Sequence, residues 1–353
     1  MQSILITGGT GYVGSHTSLE LLKKGYRILI LDSNINSSVR CLNAIKKVLS
    51  NNNISLQNNL KFIRGDIRDQ SLLNKIFMEE KNINNVIMAV MHFAGLKSVT
   101  QSLIDPIEYW DVNVNGTINL LKIMKKFSCF NLVFSSSATI YSQSSDKFIN
   151  EYHHIGPINP YGNTKATVEK LLNDTYNSDP RRFKIANLRY FNPIGAHSSG
   201  LLGEDPISTP TNIFPLILSV AAKEKDEIFI FGNDWNTPDG TGVRDYIHVM
   251  DVAEGHLRTL NFLLNNNPKI INLNLGTGCG YSVLQLIKTF EKINKVEIPY
   301  SFKKRRFGDQ AIVVADNSLA KNVLNWIPKR NLDEMCKDGW NWKKKNSFDF
   351  ENK

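Results

Sequence analysis

The sequence predicts an α/β fold, with a doubly wound parallel sheet in the first half and a smaller C-terminal α+β substrate domain. Two observations predict it. Short apolar runs alternate with amphipathic segments up to about residue 188, which is typical of parallel strands with helices on both faces of the sheet. A glycine-rich turn also follows the first run directly, at the place where such sheets bind their ligands.

Five apolar runs are the candidate strands of the first half. They are Ile4–Ile6, Ile28–Leu31, Lys61–Ile63, Val86–Phe93 and Leu132–Phe134. The segments between them carry apolar residues at helical spacing, for example Leu19 and Leu22, or Leu121 and Met124. The chain therefore repeats a strand–helix unit through this half.

After about residue 188 the pattern becomes irregular. Loops rich in Pro and Gly separate two short strand-like runs, Ile228–Phe231 and Ile271–Leu275, and the helical segment Asp251–Leu264. We predict a cofactor-binding domain over residues 1–188 and a substrate-binding domain over 189–353, laid on the carboxyl edge of the sheet. We expect the chain to cross back between the two domains, so the boundary is approximate.

Composition narrows the class of protein. Of the 353 residues 42% are hydrophobic and 21% charged, which is ordinary for a globular protein and excludes disordered and fibrous classes. No apolar run reaches the roughly 18–20 residues of a membrane span, and the start lacks a secretory signal. The four scattered cysteines (Cys41, Cys129, Cys279 and Cys336) indicate free thiols in the cytoplasm.

Charge and histidine spacing predict two absences. The net charge of +9 is dispersed along the chain, which favours neither a nucleic-acid partner nor a membrane surface. His153 and His154 are adjacent in a loop, where their side chains diverge, and neither has a second ligand one helical turn away. We therefore expect no metal site.

The glycine-rich turn predicts a dinucleotide site in a Rossmann-like sheet. Gly8, Gly11 and Gly14 let the backbone turn tightly, approach a pyrophosphate and pack the helix against the strand. The phosphates then lie at the helix N-terminus, where free N–H groups favour an anion. Asp32 closes the second run, 18 residues after Gly14, and a carboxylate there repels a 2′-phosphate. The predicted cofactor is therefore NAD rather than NADP.

A candidate catalytic group follows on a predicted helix. Asn159 and Pro160 are typical of a helix start, and Tyr161 and Lys165 then lie one turn apart on the same face. A nearby ammonium and an oxidised nicotinamide stabilise a phenolate, so we predict that the pKa of Tyr161 falls toward about 7, where it serves as general base. The segment Ser135–Ser137 ends the fifth run and places hydroxyls at the same edge.

Together, these features resemble the extended short-chain dehydrogenase/reductases, and among them the UDP-glucose 4-epimerase family. The resemblance covers nearly the whole chain. It is carried by the segments Gly8–Thr17, Phe93–Lys97, Ser135–Thr139, Arg189–Pro193, Gly203–Pro206 and Gly240–Val249.

The resemblance implies a reaction on a tightly bound NAD. Tyr161 would take the proton from the sugar 4-hydroxyl while hydride leaves C4, Ser137 would bond the same oxygen, and Lys165 would hold the nicotinamide ribose. The 4-keto sugar would then rotate and be reduced on its other face. The expected substrate is a UDP-hexose, with interconversion of UDP-glucose and UDP-galactose, and homodimers are common in the family.

The remaining site residues are implied in two sets. The cofactor set, beyond the three glycines and Asp32, is Tyr12, Val13, Ser33, Asn34, Asn36, Ser37, Asp66, Ile67, Phe93, Ala94, Lys97 and Phe191. The UDP-sugar set is Ser137, Asn192, Asn212, Phe231, Arg244, Arg306, Asp309 and Val313. Paired guanidiniums suit a pyrophosphate of about −2 charge, since they bind it through forked, charge-assisted hydrogen bonds.

The sequence departs from the family pattern at several positions. Val112 replaces an Asn that would contact the cofactor, and Ser142 replaces a Gly. The fourth run is about four residues longer than expected, which leaves its register and an adjoining bulge open, although Phe93–Lys97 follows intact. Val313 lies where some members carry Tyr and others a small residue. We hypothesise that the smaller side chain also admits UDP-N-acetylhexosamines.

Rival functions differ at identifiable positions. A 4,6-dehydratase needs an Asp–Glu pair, and a UDP-glucuronate decarboxylase needs a Glu, where this chain has Ala138 and Thr139. A UDP-glucuronate 4-epimerase stays open as an alternative, although it needs a further cation near the C6 carboxylate. A non-catalytic NAD-binding scaffold is disfavoured because Tyr161 and Lys165 are both present.

Overall fold

The computed structural model describes residues 2–56, 58–207, 210–306 and 308–347. The strands are β1 Ser3–Thr7, β2 Arg27–Asp32, β3 Leu60–Arg64, β4 Ile87–His92, β5 Asn131–Ser137, β6 Lys184–Tyr190, β7 Asn192–Ile194, β8 Ile228–Phe231, β9 Val243–Arg244, β10 Tyr246–His248, β11 Ile270–Leu275, β12 Tyr281–Ser282, β13 Tyr300–Lys303 and β14 Ile312–Val313.

The helices follow in the same order. They are α1 Tyr12–Lys23, α2 Arg40–Asn51, α3 Gln70–Asn82, α4 Val99–Ile104, α5 Pro106–Trp110, α6 Gly116–Lys126, α7 Pro160–Ser178, α8 Ile213–Ala221, α9 Val249–Asn265, α10 Val283–Asn294, α11 Ser318–Leu324 and α12 Leu332–Ser347. None of the helices in the described part of the chain is both long and apolar enough to cross a bilayer.

Seven strands form one parallel sheet in the order β11-β6-β5-β4-β1-β2-β3. Helices cover both faces: α1, α2, α9 and α11 contribute to the core on one side, and α3, α6 and α7 to the core on the other. The predicted doubly wound α/β fold is confirmed, and the strand order reverses beside β1, where the glycine-rich turn lies.

The C-terminal half contributes to both parts of the molecule. Its strand β11 pairs with β6 as the seventh strand of the main sheet, and its helix α9 packs against α1. The small sheets β10-β7, β12-β9-β14 and β13-β8 surround a separate apolar core built on α8, α10 and α12. The division at residue 188 stays a prediction, while the expected crossing back of the chain is visible in β11.

The long fourth run contains a β-bulge, which settles the question of register that its length left open. In the pairing of β1 with β4, Ser3 lies opposite Ile87 but Ile4 lies opposite Ala89, so Met88 is the extra residue. The strand itself ends at His92. The bulge restores the register that places Phe93 and the residues after it at the carboxyl edge of the sheet.

The helical segment that begins at Pro106 is not a continuous α-helix. It begins with Pro106 at its first position and the Asp105 side chain accepting a hydrogen bond from Glu108 N, but residues Asp111–Asn115 form a π-helical turn. Within this wider turn, the Asn113 side chain accepts a hydrogen bond from Leu96 N and donates to Leu96 O and to Thr164 Oγ1. Hydrophobic periodicity does not signal such a turn.

Candidate active site

At the glycine-rich turn, two backbone segments lie closer together than residues with a Cβ atom would permit. Gly8 has a φ of +71°, and a Cβ on it would lie 2.5 Å from the backbone N of Ala94. A Cβ on Gly14 would collide with the carbonyl oxygen of Gly8. Helix α1 begins with Gly11 as N-cap, which has no side chain to occupy the first amides. The turn therefore presents backbone donors at the end of a close-packed strand–helix pair.

Asp32 ends β2 at the same edge and is held rigidly. Its carboxylate accepts hydrogen bonds from the backbone N of Thr10 at 3.0 Å, the backbone N of Asn34 at 2.9 Å and the hydroxyl of Ser37 at 3.0 Å. The side chain of Asn34 in turn donates to Thr10 Oγ1. These bonds fix the carboxylate beside the glycine-rich turn.

A cavity of about 1040 Å³ runs along this edge. Of the predicted site residues it is lined by Gly8, Gly11, Tyr12, Val13, Gly14, Asp32, Ser33, Asn36, Ser37, Asp66, Ile67, Phe93, Ala94, Lys97, Ser137, Tyr161, Lys165, Phe191, Asn192 and Asn212. Asn34 is not among the lining residues, because its amide is turned into the loop. The structure thus brings the predicted catalytic residues and nearly all the predicted cofactor residues into one cavity.

Helix α7 positions the candidate catalytic pair. The Asn159 side chain accepts a hydrogen bond from Gly162 N at 2.8 Å, and Pro160 occupies the first position, as the sequence predicted. Lys165 is buried and donates to the carbonyl oxygen of Ser135 at 2.7 Å, while the Ser137 hydroxyl lies near enough to the Tyr161 phenol to act on its pKa. A phenol, a hydroxyl and an ammonium therefore meet where β5 ends.

The electrostatics of the pair show what the protein's own groups contribute to the predicted pKa of Tyr161, apart from the cofactor. Burial raises the pKa of Tyr161 to about 12, and the hydrogen bond with Ser137 only partly opposes it. Burial also lowers the pKa of Lys165 to about 8, with the charge of Glu169 acting in the other direction. Lys165 Nζ lies 5.9 Å from the ring centroid of Tyr161 and is bonded to a carbonyl. The expected fall of the Tyr161 pKa toward 7 is therefore not produced by the protein's own groups.

A second group of predicted residues gathers on the small sheets. The Arg306 guanidinium lies 3.7 Å from the ring centroid of Phe231, and Arg244 Nη2 lies 3.9 Å from a carboxylate oxygen of Asp309. Arg244 also donates to the carbonyl oxygens of Val243 and Gln310. These residues are not among those that line the cavity.

Val313 lies between the two groups. Its strand β14 pairs with β9, opposite Arg244, and its side chain packs with a cluster that includes Phe191, a cavity-lining residue. Val112, one of the departures from the family pattern, lines the cavity directly.

Several residues that line the cavity were not among the predicted site residues. Thr139 donates its hydroxyl to Ser137 Oγ at 2.9 Å, and Glu204 forms an ion pair with Lys97 at 2.7 Å. Glu204 stood in a quoted segment, but nothing in the sequence connects it with Lys97, more than a hundred residues away. Among the described residues, no group of three or more His, Cys, Asp or Glu side chains is arranged to hold a metal, and the four cysteines are unpaired.

Comparison with known proteins agrees with this architecture. Residues 5–339 match the family model described as GDP-mannose 4,6 dehydratase. The chain is 47% identical to the UDP-glucose 4-epimerase of Haemophilus influenzae, over 98% of each chain, and 45% identical to that of Bacillus subtilis, over 98% of this chain and 97% of the relative.

A solved structure is similar over the whole chain. The UDP-glucose 4-epimerase of Stenotrophomonas maltophila, solved with bound NAD and formylated UDP-arabinopyranose, superposes with a TM-score of 0.92 and 42% identity, covering 99% of this chain and 100% of that one. Identity at this level over the full length exceeds what a shared fold alone requires. The chain therefore belongs to the UDP-glucose 4-epimerase family of NAD-dependent epimerases and dehydratases.

Proposed function

We propose that this protein interconverts UDP-glucose and UDP-galactose by inverting C4 of the sugar on an NAD that it keeps bound. The observation that carries the proposal is the convergence of Tyr161, Ser137 and Lys165 on the same cavity as the glycine-rich turn, in a chain so similar to UDP-glucose 4-epimerases over its full length. The dehydratase name of the family model does not carry over, since Ala138 and Thr139 cannot expel water as an acid–base pair.

The cavity fits NAD. The close approach of Gly8 to Ala94 leaves no room for a side chain, and the uncapped start of α1 offers amides to a pyrophosphate. Asp32, held by three hydrogen bonds, is an acceptor suited to the adenosine ribose hydroxyls. Bound NAD supplies the hydride acceptor for the oxidation of the sugar and the hydride donor for its reduction.

Tyr161 moves the proton in both directions. Its phenol oxygen, near Ser137, takes the proton of the sugar 4-hydroxyl during oxidation and returns it during reduction. Because burial raises the pKa of Tyr161 to about 12 in the protein alone, the base is protonated until a further positive charge enters the cavity. This makes the phenol a base mainly when the oxidised cofactor is present.

Ser137 and Lys165 hold the reacting atoms in place. Ser137 Oγ accepts hydrogen bonds from the backbone N and the hydroxyl of Thr139, which leaves its own proton to donate. Lys165, fixed to the Ser135 carbonyl oxygen, has two further ammonium protons for the nicotinamide ribose. The pair orients the sugar oxygen and the cofactor against Tyr161.

The UDP moiety is assigned to the second group of residues. Arg244 and Arg306 are the cations for the pyrophosphate, and Phe231, already stacked under Arg306, offers an apolar face to the uracil. Asn192 and Asn212 line the cavity between this group and Tyr161. The sugar then reaches the catalytic end of the cavity while its nucleotide stays anchored, which permits rotation of the 4-keto sugar.

We extend the substrate range to UDP-N-acetylhexosamines because of Val313. Its side chain is much smaller than Tyr and packs beside Phe191 near the sugar end of the site. We expect the purified enzyme to convert UDP-GlcNAc and UDP-glucose under the same conditions. Absence of UDP-GalNAc in a reaction that turns over UDP-glucose would contradict this extension.

We also propose a homodimer. The helices beside α7 expose four large apolar side chains: Leu103 (63% exposed), Ile104 (71%), Ile107 (80%) and Trp110 (41%). A patch of this kind on adjacent helices is typical of a surface that is covered by another copy of the chain. Sedimentation equilibrium should give twice the monomer mass, and a monomer at micromolar concentration would contradict the proposal.

The test of the proposed function is a proton NMR assay of the purified protein with UDP-glucose and no added NAD. We expect the anomeric signal of UDP-galactose to grow until the two sugars reach equilibrium. UDP-glucuronate in a parallel tube tests the alternative epimerase. No change in UDP-glucose, combined with reduction of added NAD, would identify a net dehydrogenase instead.

A further inference from the structure

Three consecutive residues at the end of β5 each meet one turn of α7. The pairs are Ser137 with Tyr161, Ser135 with Lys165, and Ser136 with Glu169. The helical partners are spaced four residues apart, so they lie along one face of the helix. Two of the pairs belong to the proposed catalytic group, and the third, at 2.5 Å between Ser136 Oγ and Glu169 Oε1, lies directly beneath them.

The Glu169 carboxylate is fully engaged. Besides Ser136, it accepts two hydrogen bonds from Arg189, Nε to Oε1 at 3.0 Å and Nη2 to Oε2 at 2.6 Å. Arg189 continues the network to the Tyr141 hydroxyl at 2.9 Å. Ser136, Arg189 and Glu169 are 1%, 3% and 8% exposed, so this is a buried ion pair with nearly every donor and acceptor occupied.

The network joins three elements at one point. Ser136 on β5 lies opposite Arg189 on β6 in the parallel pairing, and Glu169 of α7 bonds both. The carboxylate therefore holds the end of β5 against α7 and fixes which residues of the two elements lie opposite each other. Ser135 and Ser137 flank this fixed point, and these are the residues that receive Lys165 and Tyr161.

The charge of the same carboxylate also acts on the buried Lys165 ammonium. Burial lowers the pKa of Lys165, and the charge of Glu169 acts to raise it. The other ionisable groups near the pair stay neutral: burial lowers the pKa of His92 on β4 to about 3 and raises the pKa values of Tyr109 on α5 and Tyr190 on β6. Arg189, the further cation in the network, is paired with Glu169. It also donates to the backbone oxygen of Glu151 and lies near the carboxylate of that residue, whose pKa burial raises.

We propose that Glu169 is a positioning residue for the epimerisation: it holds the end of β5 in register with α7, so that Ser135 and Ser137 meet Lys165 and Tyr161. This inference rests on the proposed function, because it assigns Glu169 a task only if Tyr161 and Lys165 perform theirs.

The test compares Glu169→Gln with Tyr141→Phe in the NAD-loaded protein. Glu169→Gln keeps the shape and removes the charge, whereas Tyr141→Phe removes a hydrogen bond of the same network farther from Lys165. We expect Glu169→Gln to lower the Lys165 pKa, followed by NMR of the labelled lysine, and to move the alkaline limb of the kcat profile down by about one pH unit. We expect kcat to fall about ten- to a hundredfold with little change in KM.

Equal effects of the two variants on kcat, with the Lys165 titration unmoved, would overturn the proposal and leave Glu169 a structural residue. Should Glu169→Gln not fold, Ser136→Ala decides: it keeps the ion pair and releases the strand, so a lower kcat at unchanged KM supports the proposal and a wild-type kcat overturns it. Failure of the proposed function is distinguishable, because the wild-type protein would then lack epimerase activity while the NMR titration still reports on Glu169.

Discussion

The proposed cofactor side and the proposed UDP side of the site are built in different ways. On the cofactor side, one contiguous segment, Gly8–Gly14, makes the strand end, the turn and the start of α1, and a carboxylate on the next strand completes it. On the UDP side, Phe231, Arg244 and Arg306 come from different short strands and loops of the small sheets. Local backbone geometry dictates the first, whereas only tertiary packing assembles the second.

The difference has a functional meaning. Asp32 and the glycine-rich turn are locked by backbone hydrogen bonds and buried contacts, which suits a cofactor that never leaves. Arg306 is exposed and stacks on the half-buried Phe231. Such an arrangement suits a substrate that enters, turns over and departs. Substitutions on the two sides should therefore change NAD retention and substrate binding separately.

The largest effect should come from Tyr161→Phe, at the junction of the two sides. Loss of the proton-transfer group should lower kcat by about 10²–10⁴-fold, while bound NAD and UDP affinity stay near wild type. Steady-state kinetics, together with the absorbance of released nucleotide, measure both. Wild-type turnover in this variant would remove Tyr161 from the mechanism.

Gly8→Ala should damage the cofactor side. Its Cβ would meet the Ala94 backbone at 2.5 Å in a left-handed conformation, so we expect about 2–5 kcal/mol of lost stability and protein purified without NAD. The matched control is Gly25→Ala, which has a φ of +81° but meets no described atom within 4 Å. The control should lose only about 1–2 kcal/mol and keep its NAD. Similar losses in both would mean that backbone strain, not close approach, sets the effect.

Arg306→Ala should damage the UDP side alone. Removing one charge-assisted contact with a pyrophosphate should raise KM for UDP-glucose about ten- to a hundredfold, with NAD content unchanged. Arg305→Ala is the neighbouring control, because Arg305 is paired with Asp234 and stacked on Trp235 instead. Loss of NAD from the Arg306 variant would contradict the separation of the two sides.

The smallest expected effect of a single substitution is on the loss of stability at acidic pH. Burial lowers the pKa of His16 and His92 to about 3 and of His197 and His256 to about 4. Since the unfolded chain binds protons below about pH 6.5 and these folded histidines do not, stability is lost as pH falls from 7 to 5.

Each of these histidines contributes about 1–2 kcal/mol to that loss. His256→Gln should therefore reduce the fall in Tm between pH 7 and 5, whereas substitution of the exposed His154 should leave it unchanged. Calorimetry at constant ionic strength measures both. A Tm of the wild type that is constant over this range would contradict the burial of neutral histidines.

Sequence patterns predicted what is decided locally. The parallel sheet, the glycine-rich turn and the start of α7 at Asn159 and Pro160 are confirmed because periodicity, glycine geometry and helix capping act over a few residues. The length of the fourth run raised the question of its register, and the pairing of β1 with β4 answers it with a bulge at Met88.

The features that patterns did not predict depend on distant partners. The π-helical turn before Gly116, the ion pair between Lys97 and Glu204, and the clamp of Arg189 on Glu169 each join segments that are far apart or alter a helix from outside. The pKa of Tyr161 belongs to the same class, since burial by surrounding elements outweighs the helical neighbour Lys165.

The most direct test of the account is epimerisation of UDP-glucose in D₂O without added NAD, followed by NMR of the product. If hydride leaves C4 and returns from the same retained cofactor, the UDP-galactose formed carries protium at C4. Deuterium at C4 would instead show proton abstraction from carbon by a solvent-exchanging base, and would contradict the assignment of Tyr161 to the hydroxyl proton.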